Sequence, residues 1–166
     1  MPASNTRIYQ PGRGTDLHRR SVYTYWKRAC PPPNLMTFDA PTRECCTVRR
    51  IPTNTPLQAL VLWNDTQFVE AAASLAARTL EQPGTDGERI SRMLQRCTGR
   101  APDAEALARC TGALEHFRAR YAAAPADAAA VAKVLSPAPD RPPVELAAWT
   151  LLASACLSLD ATLCAD

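Results

Sequence analysis

Proline limits the shapes open to this chain more than any other residue. Each of its fifteen prolines fixes φ and lacks a backbone N–H, so none fits a central strand or a helix interior without cost. Eight of the fifteen precede Leu57, and Pro31-Pro-Pro33 calls for an extended, polyproline-like stretch. Further along, prolines fall where helices start or stop. Thr55 is a good N-cap with Pro56 in the first helical position. Pro102 opens another helix, Pro125 ends it, and Ser136-Pro-Ala-Pro-Asp-Arg-Pro-Pro143 reads as a stiff link.

Between these marks apolar residues recur at helical spacing. A helix is predicted over Leu57–Trp63, interrupted at Asn64-Asp65, and a second over Thr66–Leu80 with Phe68, Ala72, Leu75 and Ala76 on one face. Gln82–Gly87 is a turn. Ile90, Met93, Leu94 and Cys97 mark the next helix, with Gly99 as its C-terminal left-handed residue. Leu107, Cys110, Leu114, Phe117 and Tyr121 mark another, followed by a short one over Asp127–Leu135. The last helix carries Val144, Ala147, Ala148, Leu151, Leu152, Ala155 and Leu159, the most regular stripe in the chain. No segment sustains period-two alternation. The expected fold is therefore mainly α: an irregular array of about six to eight short helices behind a proline-rich, mostly non-regular N-terminal third.

The front is the harder part to read. Asp16–Ala29 fits a helix capped by Thr15 or Asp16, while Val22–Trp26 fits a strand on propensity. Asp39–Glu44 predicts a single helical turn capped by Asp39, with Pro41 near its start. Trp26, Trp63 and Trp149 are expected in the core.

Composition narrows the class. At 166 residues and 46% hydrophobic, the chain suits one domain with a real core, and neither a disordered chain, a collagen nor a coiled-coil rod. Residues 1–20 hold no apolar secretory segment, and the most apolar stretch, Val144–Leu159, is too short to span a bilayer and contains Glu145. The seven cysteines form no C-x-x-C pair and, with only two histidines, no zinc-ligand spacing. They read as small buried hydrophobes.

Charge is distributed unevenly. Residues 1–50 hold nine Lys+Arg and three Asp+Glu, whereas residues 51–166 hold ten and thirteen, and 17 of the 19 basic residues are arginine. Arginines cluster in the front at Arg19, Arg20, Arg28, Arg43, Arg49 and Arg50. Guanidinium grips carboxylate, sulfate or phosphate through two bonds at once. Its five donors equally suit the many carbonyls of irregular backbone. The candidate binding residues are Asp39, Arg43, Glu44, Arg49, Arg50 and Asn54, and no catalytic or metal-binding set stands out. Three readings of the arginines follow: staples of irregular backbone, a surface for an anionic ligand or partner, and a clamp in an enzyme in which Asp39 or Glu44 is the general acid or base. Nucleic acid is not expected, because no known module is present and the basic residues do not run along one helix face.

Specific wording in the front goes beyond periodicity. Arg19-Arg-Ser-Val-Tyr-Thr-Tyr-Trp-Lys-Arg28, Pro31-Pro-Pro33, Met36-Thr-Phe-Asp-Ala-Pro-Thr-Arg-Glu44, Cys46-Thr-Val-Arg-Arg50, Thr53-Asn-Thr-Pro-Leu-Gln-Ala-Leu60 and Asn64-Asp65-x-Gln67-Phe68-Val69-Glu70-Ala71-Ala72 follow one another in order. Together they resemble the C-terminal domain of unknown function in planctomycete-type cytochrome c-domain proteins. The match continues more loosely through Thr98–Pro102 and Glu145–Ser154. The resemblance implies a mostly helical module that ends a larger exported protein. Haem c would belong only to upstream domains, so no cofactor is expected on this chain, and the upstream domains are its expected partners, with an anionic glycan as a further one. The expected organisation is one domain over residues 1–166, a C-terminal fragment of such a protein, with 1–15 an arm or truncated start, 16–54 the basic proline-rich motif segment and 55–166 the helical scaffold. The expected function is a non-catalytic helical interaction module. The alternative is an enzyme domain acting on a sulfated or uronic polysaccharide.

Overall fold

The structure is a computed structural model that describes residues 9, 20–27, 30–49, 51–134 and 141–164. It divides into two compact units, Met1–Gln58 and Ala59–Asp166. Among the described residues it is built from helices alone, as the proline marks and helical spacing predicted.

In the first unit, a 3-10 turn at Ser21–Tyr23 is the only regular element before Pro31 among the described residues. The longer helix expected over Asp16–Ala29 and the strand expected over Val22–Trp26 are both absent from the described part of that span, where Tyr25–Lys27 has no regular structure. Apart from Tyr9, the arm expected over residues 1–15 lies outside the described residues. The proline run also resolves differently from the extended stretch expected. Pro32 takes an extended conformation (φ −59°, ψ 122°), but Pro33 opens a helix, α1 (Pro33–Thr37). The missing N–H of proline costs nothing at that position and its φ is already helical. Helix α2 (Pro56–Asn64) begins behind the Thr55 cap as expected, and the boundary between the units falls inside it.

The second unit holds the core. Helix α3 (Thr66–Leu80) starts at Asp65, whose carboxylate accepts from the Gln67 N–H at 3.0 Å. Helix α4 (Asp86–Thr98) ends at Gly99, in the left-handed conformation at φ 72° that glycine adopts without a Cβ penalty. Helix α5 (Ala104–Ala123) begins two residues later than Pro102 because Asp103 caps it, accepting from the Ala106 N–H at 2.7 Å. Pro125 does more than end α5: it is the first residue of α6 (Pro125–Ala132). Residues 135–140 of the expected proline link lie outside the described residues. Helix α7 (Pro143–Leu157) follows, and a short α8 (Asp160–Leu163) that periodicity did not reveal begins beyond Leu159.

Helix α7 is the centre of the packing, in contact with α3, α5 and α6. Both α3 and α7 contribute fully buried alanines to the core: Ala72 and Ala76 from α3, Ala147, Ala148 and Ala153 from α7. Small side chains let two helices approach to about 8 Å, the near end of the usual range. Trp149, Ile90, Met93, Leu114 and Leu146 fill the space around them, each burial contributing roughly 1.5–3 kcal/mol. Trp149 is thus core, as expected. Trp63 is not: it is 40% exposed on α2.

Candidate functional site

Of the candidate residues in the front unit, Asp39 is the one at the centre of a hydrogen-bond network, with Thr53 and Gln58 as its partners. Helix α1 ends in a Schellman motif: the Ala40 N–H reaches the Leu35 carbonyl at 2.9 Å and the Asp39 N–H the Met36 carbonyl at 3.4 Å. That motif needs a left-handed residue, and Asp39 supplies it at φ 57°. Aspartate tolerates this region better than most residues with a Cβ, though less well than glycine. Asp39 therefore closes the helix before it rather than capping a turn after it. The helical turn expected over Asp39–Glu44 does not form: after the turn at Asp39 the chain has no regular structure over residues 40–42 and then bends at 43–45.

The position aims the Asp39 carboxylate at the segment leading into α2. Its Oδ2 accepts from the Thr53 N–H at 2.8 Å, the Thr53 hydroxyl at 2.7 Å and the Gln58 amide at 3.2 Å. Gln58 is 1% exposed, and the same amide nitrogen also donates to the Thr37 carbonyl at 2.9 Å. Its oxygen accepts from the Thr55 N–H at 2.8 Å while its own N–H reaches the Thr55 hydroxyl at 3.3 Å. That pair is a capping box on α2. Thr53 and Gln58 were absent from the candidate residues, yet Thr55-x-x-Gln58 carries the capping-box spacing in the sequence. The network joins Met36–Glu44 to Thr53–Leu60, two of the stretches that carry the family resemblance.

The remaining candidates have other surroundings. Arg43 is also left-handed (φ 62°); its guanidinium lies 5.4 Å from the Trp26 ring centroid and donates to the Ser21 carbonyl at 3.4 Å. It holds the Ser21–Trp26 stretch to the rest of the unit by cation–π attraction and a backbone bond, the stapling role open to these arginines. The Glu44 N–H donates to the Thr42 hydroxyl at 3.5 Å. Arg49 and Asn54 are exposed, and Arg50 lies outside the described residues. Stapling recurs in the second unit, where Arg89 Nε donates to the Gln82 carbonyl at 2.9 Å and Arg92 to the Pro83 carbonyl at 2.6 Å.

A second polar network, unforeseen in the sequence, lies in the helical unit. Arg118 on α5 pairs through two nitrogens with Glu145 on α7, its Nε at 2.9 Å, and with Asp86 at the start of α4 at 2.7 Å. Glu145 also accepts from the fully buried Trp149 indole N–H at 2.7 Å, and Arg89 approaches Asp86 at 3.6 Å. Glu145 raises the Arg118 pKa above the usual arginine value, with Asp86 adding to this against the cost of burial. The group ties three helices together and completes the hydrogen bonding of a core tryptophan. Only the Glu145–Trp149 spacing, four residues on one helix, could have announced it.

The thiols of Cys97, Cys110 and Cys156 are pushed up by burial, away from the thiolate a nucleophile requires. Cys45 and Cys46, in contrast to the buried cysteines expected, are exposed. Among the described residues no group of three or more His, Cys, Asp or Glu is placed to hold a metal ion, and no helix is long and apolar enough to cross a membrane.

Residues 1–114, the whole front and the scaffold as far as mid-α5, match a family described as PSD1, protein of unknown function (DUF1553). No curated protein and no solved structure matches the chain.

Proposed function

The chain belongs to the PSD1 (DUF1553) family, and from that premise we propose that it is a non-catalytic helical interaction module, the terminal domain of an exported, cytochrome c-associated multidomain protein. One observation carries the reading. Ten large hydrophobic side chains are exposed among the described residues, and nine of them lie between Val22 and Trp63. Apolar surface left in water forgoes about 25 cal/mol per Å², and a contiguous exposed apolar face marks an interaction surface. Helix α2 shows the pattern within a single element. Leu57, Leu60 and Trp63 follow one another at intervals of three and are exposed, whereas Gln58 and Leu62, on the other side of the helix, are buried. A helix with leucine and tryptophan facing water is one half of a helix-in-groove or helix-on-helix contact.

The test is retention of upstream domains. The chain is immobilised and offered the haem-c domain and the neighbouring domain of a full-length family relative. At least one of them is expected to be retained, and Leu60→Ser with Trp63→Ser to release it. Retention of neither overturns the proposal.

A further inference from the structure

We propose that the front unit takes an acidic polypeptide surface as its partner, held by exposed tyrosine and aliphatic side chains among arginines. This rests on the reading of the chain as an interaction module and names the chemistry of what it binds.

Charge supplies the first part. Residues 1–50 carry nine basic groups against three acidic ones, and the carboxylate of one of those acids, Asp39, is engaged with Thr53 and Gln58 inside the unit. Arg20 and Arg49 are exposed. The unit thus presents a positive field, which steers an acidic partner toward it and repels a basic one.

The apolar side chains supply the second part. Tyr23 and Tyr25 are 72% and 80% exposed, and Val48 and Ile51 are exposed as well. Arg43, lying over Trp26 and bonded to the Ser21 carbonyl, fastens the tyrosine stretch to the strand of irregular chain that leads to Val48. Tyrosine and arginine are the residues that most often dominate protein interfaces. An anion held by charge alone, such as a sulfated glycan, makes no use of Val48 and Ile51. A polypeptide surface uses both parts.

Three labelled polymers of matched length distinguish these partners by fluorescence anisotropy with the full chain: a random glutamate–tyrosine copolymer, polyglutamate and heparin. The copolymer is expected to bind at least about tenfold more tightly than polyglutamate, since truncating an interface anchor costs more than 1 kcal/mol. Tyr23→Ser with Tyr25→Ser should remove that advantage and leave polyglutamate binding in place. Arg20→Glu, alone and with Arg49→Glu, should weaken both polymers and flatten their salt dependence. All four side chains are exposed, and an unchanged circular dichroism spectrum checks that each variant folds. Heparin binding as tight as the copolymer's overturns the proposal in favour of a glycan surface. Binding of neither acidic polymer also overturns it, and retention of an upstream domain alongside that result would leave the interaction-module reading standing.

Discussion

Asp39 shows how a single residue can look like one thing in sequence and do another in the fold. Aspartate two residues before proline, at the head of Ala-Pro-Thr-Arg-Glu44, has the pattern of an N-cap. The structure instead uses its tolerance of left-handed backbone to end α1 and its carboxylate to gather Thr53 and Gln58. The sequence hides this because helices usually mark their C-terminal left-handed residue with glycine, and the partners lie fourteen and nineteen residues away. Asp39→Ala keeps a Cβ in strained backbone and discards the acceptor, a loss of about 2 kcal/mol. Asp39→Asn keeps an acceptor oxygen and tolerates the same backbone, and should lose less than about 1 kcal/mol. The Thr55 amide is the local reporter, since its bond is to Gln58 and not to Asp39 itself. Its hydrogen exchange is expected to accelerate about thirtyfold in Asp39→Ala and less than about fivefold in Asp39→Asn. Equal rates in wild type and Asp39→Ala would remove Asp39 from the support of α2.

At the scale of elements, helix ends were the most legible feature and helix faces the least. Thr55-Pro56 and Gly99 mark their ends by local chemistry, and that chemistry operates wherever the helix packs. Helix α7 is the counterexample. Its stripe predicted one buried face with Val144, Leu151, Ala155 and Leu159 among its members, yet these four are partly or largely exposed, while Leu146, Trp149, Ala153 and Cys156 are buried. With α3, α5 and α6 packed against it, α7 buries residues around most of its circumference and leaves Val144, Leu151 and Ala155 on its less covered side, so a single stripe does not define its buried face. Helix α4 shows what a legible end is worth. The Thr85 hydroxyl accepts from the Glu88 N–H at 3.4 Å and the Glu88 carboxylate from the Thr85 N–H at 2.8 Å. Thr85→Ala should cost about 1 kcal/mol. The Thr85 backbone N–H, then its hydroxyl, holds the Glu88 carboxyl below its usual range. A group depressed on folding stabilises above its unfolded value, about pH 4.3, and loses that contribution as pH falls through the lower folded value. Thermal melts at decreasing pH should therefore fall more steeply below about pH 4.3 in wild type than in Glu88→Gln. Parallel curves would disconnect the box from acid stability. Gly84 offers an independent check. At φ 119°, a Cβ there would meet the Glu88 carboxylate and the Arg92 guanidinium, so Gly84→Ala should destabilise by about 1–3 kcal/mol.

For the molecule as a whole, the two units differ in what holds them. Every member of the core cluster lies between Ala72 and Cys156. In the unit Met1–Gln58, by contrast, only Pro32 and Gln58 are buried among the described residues. Ordering backbone costs roughly 1–2 kcal/mol per residue, and the main offset is buried apolar surface. The second unit has that offset, whereas the front relies on directed contacts: the Asp39 network, the Schellman turn and Arg43 on Trp26. Such contacts fix a conformation but contribute only about 1 kcal/mol each in water. Removing residues 1–50, which leaves the Thr55 cap intact, should therefore preserve the helical circular dichroism of the remainder and shift its melting temperature by less than about 5 °C. Residues 1–58 expressed alone should show no cooperative transition, because a chain of this length is marginal and only Pro32 and Gln58 are buried among its described residues. A drop of more than about 10 °C on removing the front would instead assign it a share of the core's stability. A unit with apolar side chains in water is stabilised by whatever covers them, since binding stabilises only the state that binds. If the proposed interaction holds, backbone amides of residues 24–27 and 46–49 should gain hydrogen-exchange protection when the chain is saturated with the haem-c or neighbouring domain of a full-length family relative, and those of α7 should not change. Protection rising in α7 and not in the front would place the docking surface on the helical unit, leaving Tyr23, Tyr25 and Val48 without a part in it.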